Sequence, residues 1–366
     1  MKKRMAPHQL TGRDKLVSER KNLPLFIVQL VRGAFVMDYL GMAVALALLL
    51  IIFGVFAKNF FTLTTATTIA NQIPDITIVA VGMTFVLIIA GIDLSVGSVM
   101  ALAGALLGVS MVEFKLPLPV ALVACFAAGL LCGAINGLVI IRWRLPSFIV
   151  TLGMLEVARG ATYLVTQSRT IYISTFLEWI TDPLILGLSR AFFLALAIVI
   201  VCQLALSFTI FGRYIIAIGT NEEAVRLSGI DPRPLKLLVF ILCGFLTSIA
   251  AVIHTARLSS ANPNAGYGLE LQAIAAVVIG GTSLMGGAGS VVSSFFGVLI
   301  IAVLGAGLAQ VGAQESTKRL ITGCVIVVAV ILDYYRHRIH KPRLPAVHSG
   351  QAGRQAGANP PSAGRF

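Results

Sequence analysis

Long stretches without a single charged residue constrain this chain more than anything else in it. Uncharged, mostly apolar runs cover residues 40–57, 76–92, 94–112, 116–141, 191–211, 237–253 and 271–314. A hydrocarbon core of about 30 Å takes roughly 20 helical residues. Only 12% of the residues are charged, against about 25% in soluble proteins. The pattern predicts an all-α, polytopic integral membrane bundle. Ten spans are expected, near 38–57, 68–91, 94–112, 119–141, 146–166, 191–210, 236–256, 270–283, 289–311 and 318–335. The first apolar run follows a polar, basic segment, which predicts a retained first helix and not a cleaved signal.

Basic residues set the orientation. Of 28 Lys and Arg, eight lie in 1–37, six from 333 onward, two in 142–144 and four in 211–236. With ten spans and the N-terminus in the cytoplasm, all four segments face the cytoplasm, and so does the C-terminus. The net charge of +13 is then a fringe at helix ends, where anionic lipid is the natural partner. Nucleic acid is not expected as one. Three parts follow: a basic cytoplasmic tail over 1–36, a transmembrane domain over 37–336 and a cytoplasmic tail over 337–366. The last is rich in Gly, Ala, Pro and Gln and lacks the apolar content to form a core.

Catalytic and cofactor signatures are missing from the sequence. It contains no G-x-x-x-x-G-K-[ST], no G-x-G-x-x-G, no H-E-x-x-H and no G-x-S-x-G. Four of the five histidines (His8, His337, His340, His348) fall in the tails. The cysteines Cys125, Cys132, Cys202, Cys243 and Cys324 all fall in apolar runs, where a thiol behaves as a small hydrophobe. No cofactor or metal is expected, and the chain reads as a non-enzyme.

The informative polar segment is "FGRYIIAIGTNEEAVRLSGIDPRPLK", residues 211–236. Thr220 and Glu223 have the spacing of a capping box. Glu222 and Glu223 sit at the positive end of the helix dipole, Arg226 near the other end. Gly229 suits the left-handed residue that ends a helix, and Pro232 blocks continuation. The expected helix has about eight residues and is too short to stand alone in water. Two readings stand. The helix, with Asn221 at its start, packs on its own bundle, or it presents a face of Ala224, Leu227 and Ser228 to a soluble partner.

Here the chain resembles the membrane-spanning permease subunits of ribose-type ABC sugar importers. The resemblance rests on "GRYIIAIGTNEEAVRLSGI", with "ANQIPDITIVAVGMTFVLIIAGIDLSVGSVMALAG" at 70–104, "GAINGLVI" at 133–140, "LPSFIVTLGMLEVARG" at 145–160 and "IGGTSLMGGAGSVVSSFFGVLII" at 279–301. It implies that 211–236 carries the coupling helix that meets the ATPase subunits, that two copies pair, and that a periplasmic binding protein delivers a monosaccharide. The function it implies is the translocation path for ribose or a related sugar, driven by separate ATPase subunits. An ion-coupled secondary transporter is the alternative, for which Asp75, Asp93 and Glu156 are meagre equipment; an intramembrane enzyme would need catalytic residues that are not found.

Two irregular stretches interrupt the spans. In "AGIDLSVGS" at 90–98, Asp93 is expected on the cytoplasmic side, accepting from the N–H of Ser95 or Val96 as a helix cap; a second reading makes Asp93 and Ser95 part of the sugar path. Gly91 and Gly97 would let the chain turn and backbones approach. "GGTSLMGGAG" at 280–289, with Gly280, Gly281, Ser283, Gly286 and Gly287, has the same character. Gly129, Gly133 and Gly137 form a close-packing stripe, with Asn136 beside them as an interhelical hydrogen-bond group. Glu156 and Arg159 have the spacing of a neutralising pair, structural or gating. The loop 167–190, with Tyr172, Phe176 and Trp179, reads as a lip for a binding protein or as an interfacial anchor.

Overall fold

The structure, a computed structural model, describes residues 41–173 and 177–339. The expected tail over 1–36, most of that over 337–366, and Phe176 lie outside the described residues. Fourteen helices appear among those described. They are α1 (Gly41–Phe56), α2 (Leu63–Gln72), α3 (Pro74–Ile88), α4 (Val96–Val112), α5 (Leu118–Trp143), α6 (Ser147–Thr166), α7 (Glu178–Thr181), α8 (Arg190–Phe208), α9 (Ile210–Thr220), α10 (Glu222–Leu227), α11 (Arg233–Leu258), α12 (Leu269–Ile279), α13 (Val291–Gln310) and α14 (Glu315–Ile339). Two small antiparallel ribbons depart from the all-helical expectation. One pairs β1 (Ile171–Tyr172) with β4 (Ser260–Ala261), the other β2 (Pro183–Ile185) with β3 (Leu188–Ser189).

Five helices, α5, α6, α8, α11 and α13, are individually long and apolar enough to cross a membrane. The pair α2–α3 passes as one broken span, bent by 47°. The bend falls at Ile73, with Pro74 opening α3, where a proline costs no helical N–H. α3 is apolar on all sides and buried on all sides, with every residue but Ile76 shielded; an all-round hydrophobic helix belongs in a core. It packs on α11, which also lies against α5 and α4. The α5–α11 contact is nearly backbone on backbone. A Cβ at Gly129 would run into the Gly244 carbonyl, and one at Gly133 into that of Phe240. The glycine stripe packs as expected, because small residues give helices a close approach that apolar solvent does not otherwise favour.

Successive spans run antiparallel, so the bundle has two ends. At one lie the turn 142–146, α10 and the loop 280–290; at the other lie the two ribbons. The segment after β4 does not stay at the ribbon end. Ala261 packs on Gly108 of α4, whereas Gly266 lies against Gly97 near the other end of the same helix. At about 1.5 Å per residue that is a descent of roughly 16 Å into the bundle. α12 starts only at the bottom of this descent.

Candidate functional site

α10 is capped differently from the sequence expectation. Thr220 is the last residue of α9, and its hydroxyl donates back to the Ile216 carbonyl at 2.8 Å. The capping box with Glu223 therefore does not form. The extended residue is Asn221, with φ −161° and ψ 96°, and its Oδ1 accepts from the Ala224 N–H at 3.0 Å. Once α9 runs on through Thr220, only Asn221 is outside helical geometry and free to cap. The helix is correspondingly shorter than expected, Glu222–Leu227. Its end matches expectation: Gly229 is left-handed (φ +85°), its N–H donates to Arg226, and the Ile230 N–H donates to Val225 at 3.3 Å, the double bond pattern of a Schellman motif. Glu223 pairs with Arg226 at 2.7 Å, and Glu222 with Lys236. Val225 is buried against the bundle, whereas Asn221, Glu222, Glu223, Ala224, Arg226 and Gly229 are exposed and Leu227 is 80% exposed. A groove beside α10 is walled by Ile140, Arg144 and Leu145 on one side and Glu222, Arg226 and Arg233 on the other.

Directly before Asn221, three chain segments meet backbone to backbone. The Gly287 N–H donates to the Ile88 carbonyl at the end of α3, at 2.8 Å. A Cβ at Gly219 would run into that same carbonyl and the Gly287 nitrogen. Gly286 (φ +84°) sits against Ala90 and the Gly219 carbonyl, and Gly287 against Thr220. The two irregular stretches singled out in the sequence thus converge, and the end of α9 is wedged between them. Each is closed locally. Gly91 N–H donates to Val86 and Ala90 N–H to Leu87, ending α3 with a left-handed Ala90 (φ 57°). Gly281 (φ +82°) does the same for α12, Ser283 accepts from Met285 and Gly286, and Gly280 lies on the backbone of Ser293 in α13.

Asp93 accepts from the Ser95 N–H at 2.9 Å and from the Ser95 hydroxyl at 2.6 Å. Asn136 Nδ2 donates to that hydroxyl at 3.0 Å. The N–H groups of Ile92 and Leu94 go to Ser147 and Thr151 of α6. Asp93 accepts from Ser95 as expected, but it does not cap α4: Ser95 itself precedes the helix, already in helical geometry, and no side chain accepts from the first turn. The expected depth does not hold either. Asp93 is only 2% exposed, and the Cys243 thiol of α11 lies against its carboxylate. Cys243 is about 15 Å from one end of α11 and about 22 Å from the other, so the turn has climbed back to the middle of the bundle before α4 begins. Gly97, one turn on, faces Gly266 and Glu270.

Two polar arrangements escape sequence reasoning. Asp75 accepts from Arg257 Nη2 at 2.7 Å and lies 2.7 Å from His254 Nδ1; His254 and Arg257 stand three apart on α11, the one legible hint. Arg159 does not pair with Glu156. Its Nη1 donates to the carbonyls of Pro263 and Ala265, at 2.7 and 2.9 Å, and Tyr163 donates to Asn264 Oδ1 at 2.6 Å. α6 thus pins the descending segment, and Glu156 is left exposed.

A broken, glycine-turned helical interior thus lies beside a short exposed helix, and comparison with known proteins decides what kind of protein carries it. Residues 65–330 match a family model described as a branched-chain amino acid transport system/permease component. The chain belongs to this permease family. It is 39% identical over 295 residues to the ribose import permease of Escherichia coli strain K12, covering 79% of this chain and 92% of that protein. It is 33% identical over 308 residues to the fructose import permease of Rhizobium meliloti, covering 81% and 85%. It is 33% identical over 299 residues to the D-allose transport permease of Escherichia coli K12, covering 81% and 91%. The permease is a multi-pass protein of the bacterial inner membrane and a subunit of an ABC importer, a machine that also comprises ATPase and periplasmic binding-protein components.

Proposed function

We propose that two copies of this permease enclose the path of a monosaccharide, that ATPase subunits dock on α10, and that a periplasmic sugar-binding protein docks on the ribbon end. The sugar reading draws on the relatives, which are named for ribose, fructose and allose. In this reading the ten spans are α1, the bent α2–α3, α4, α5, α6, α8, α11, α12, α13 and α14, with residues 37–336 as the permease domain and 211–236 as the coupling loop. The α10 end is cytoplasmic, both termini emerge there, and anionic lipid surrounds the basic fringe. The second copy follows from one coupling segment per chain facing a motor with two halves.

The observation that carries the coupling role is the wedge at Gly219 and Thr220. A push on α10 acts, through backbone contact, on the end of α3 and on the 280–290 loop at once. These are the stretches that lead to the two helices beginning or ending inside the bundle, α4 and α12. ATP-driven closure of the motor would thereby turn the central path from one face of the membrane to the other. The ion-coupled alternative has less support, since Asp75 is held by Arg257 and His254 and Asp93 by Ser95.

The test is the double variant Glu222→Lys, Glu223→Lys in the assembled complex. It reverses the charge of the exposed α10 face and removes the bonds to Arg226 and Lys236. Sugar-stimulated ATP hydrolysis in reconstituted vesicles is expected to vanish. Full stimulated hydrolysis would overturn the assignment of α10 as the coupling helix.

A further inference from the structure

The descent of residues 262–268 brings irregular backbone and polar side chains to the middle of the bundle. Such backbone is tolerated at membrane depth only where protein buries it or where it borders water. Part of this segment is buried: Arg159 satisfies two of its carbonyls, and Gly97 abuts Gly266. Its other side is open. Tyr267 is 80% exposed between two left-handed glycines, Gly266 (φ +68°) and Gly268 (φ +80°), which throw its ring outward. Asn264 is exposed beside it. The adjoining face of α6 is open as well. Glu156 and Tyr163 are exposed on it, and no atom lies within 4 Å of a Cβ built at Gly153 or Gly160.

Lipid is a poor neighbour for this face. A carboxylate, an amide and a phenol at mid-bundle depth are costly against hydrocarbon and face water or protein instead. The small residues at 153 and 160 leave room for something to lie there. The chemistry is mixed: the Glu156 carboxylate accepts, the Asn264 Nδ2 donates, the Tyr163 oxygen, whose hydrogen goes to Asn264 Oδ1, accepts, and Tyr267 presents an aromatic face. Alternating donors and acceptors beside a ring plane complement a pyranose or furanose, which carries hydroxyls around its rim and C–H groups on its faces. Glu270 stands at the first turn of α12, against Gly97, where it backs the same site from within.

We infer that Tyr267, Asn264, Tyr163 and Glu156 form a monosaccharide contact site, the point in the path where this subunit itself selects among sugars. The inference rests on the proposed two-copy sugar path, in which this face looks toward the other copy. It adds a selecting role to the permease that is separate from selection by the binding protein.

The experiment uses the whole complex in proteoliposomes, with binding protein outside and ATP inside. Uptake of labelled pentoses, aldohexoses and ketohexoses is measured together with stimulated ATP hydrolysis. Tyr267→Ala is expected to lower sugar moved per ATP by about tenfold, the scale of one lost favourable contact, while binding-protein-stimulated hydrolysis persists. Tyr267→Trp keeps a ring face and should retain uptake but change the order of preference among sugars. Glu156→Gln should also change that order. Unchanged stoichiometry and preference in Tyr267→Ala and Glu156→Gln would overturn the site. So would loss of uptake and hydrolysis together with a fall from two permease copies to one by native mass spectrometry, which would make the face a contact between copies only. Wild-type complex that imports no monosaccharide at all would instead remove the sugar-path reading beneath it.

Discussion

The two places where this bundle departs from regular helix are held in opposite ways. At the α10 end, Ile88, Gly219 and Gly287 meet backbone to backbone with no side chain between them. In the descending segment, side chains make the attachment: Arg159 grips Pro263 and Ala265, and Tyr163 grips Asn264. A backbone junction has no slack, since displacing one segment displaces the others. A side-chain clamp fixes one position but can be released and remade. The first arrangement suits the transmission of a push, the second a segment that has to hold shape while a solute passes.

The comparison breaks most readily at Gly219. Gly219→Val sets a branched side chain on the Ile88 carbonyl with nothing flexible to yield, and overpacking of this kind costs about 3 kcal/mol or more. Stimulated ATP hydrolysis and the detergent melting temperature should both collapse. A well-folded, coupled variant would mean that the junction opens freely and transmits nothing.

Arg159→Met tests the other side. It keeps the length of the stem but releases two partly buried carbonyls, at about 2 kcal/mol for the loss of charged hydrogen bonds. Transport should fall with a moderate drop in melting temperature, while hydrolysis stays coupled because the wedge at Gly219 is untouched. Equal loss of both activities would erase the distinction between the two regions.

Asp93 lies between them. Asp93→Asn keeps an Oδ1 for Ser95 and should change uptake and melting temperature little. Asp93→Leu leaves the Ser95 N–H and hydroxyl buried without an acceptor, at about 1–3 kcal/mol, and should lower expression and melting temperature. An Asn variant that is stable and coupled yet transports nothing would make Asp93 a substrate contact.

The smallest effect concerns the cap. Asn221→Ala should cost about 1 kcal/mol and weaken coupling at low ATPase concentration. Thr220→Val, which loses only a bond within α9, should behave as wild type. The reverse order, measured by stimulated hydrolysis across an ATPase titration, would restore Thr220 as the cap.

Much of this molecule is legible in its sequence, wherever neighbouring residues decide the outcome. Uncharged runs specify apolar helices because a hydrocarbon environment leaves the backbone no other partner than itself. Gly229, Gly281, Gly286 and Gly287 mark chain reversals because positive φ is cheap only without a Cβ. The Asp93–Ser95 bond spans two residues and follows from a local turn. Tertiary structure alone decided the rest. Whether Thr220 or Asn221 caps α10 depends on how far α9 runs, which is set by its packing against Ile88 and Gly287. The depth of Asp93 depends on where α11 places Cys243. Arg159 chose carbonyls about a hundred residues away over a carboxylate one turn away, and Asp75 found His254 and Arg257 across a still longer separation. An unmet buried hydrogen-bonding group costs more than a solvated pair of charges returns, so the final partners are chosen by what folding buries together, and periodicity along the chain holds no record of that.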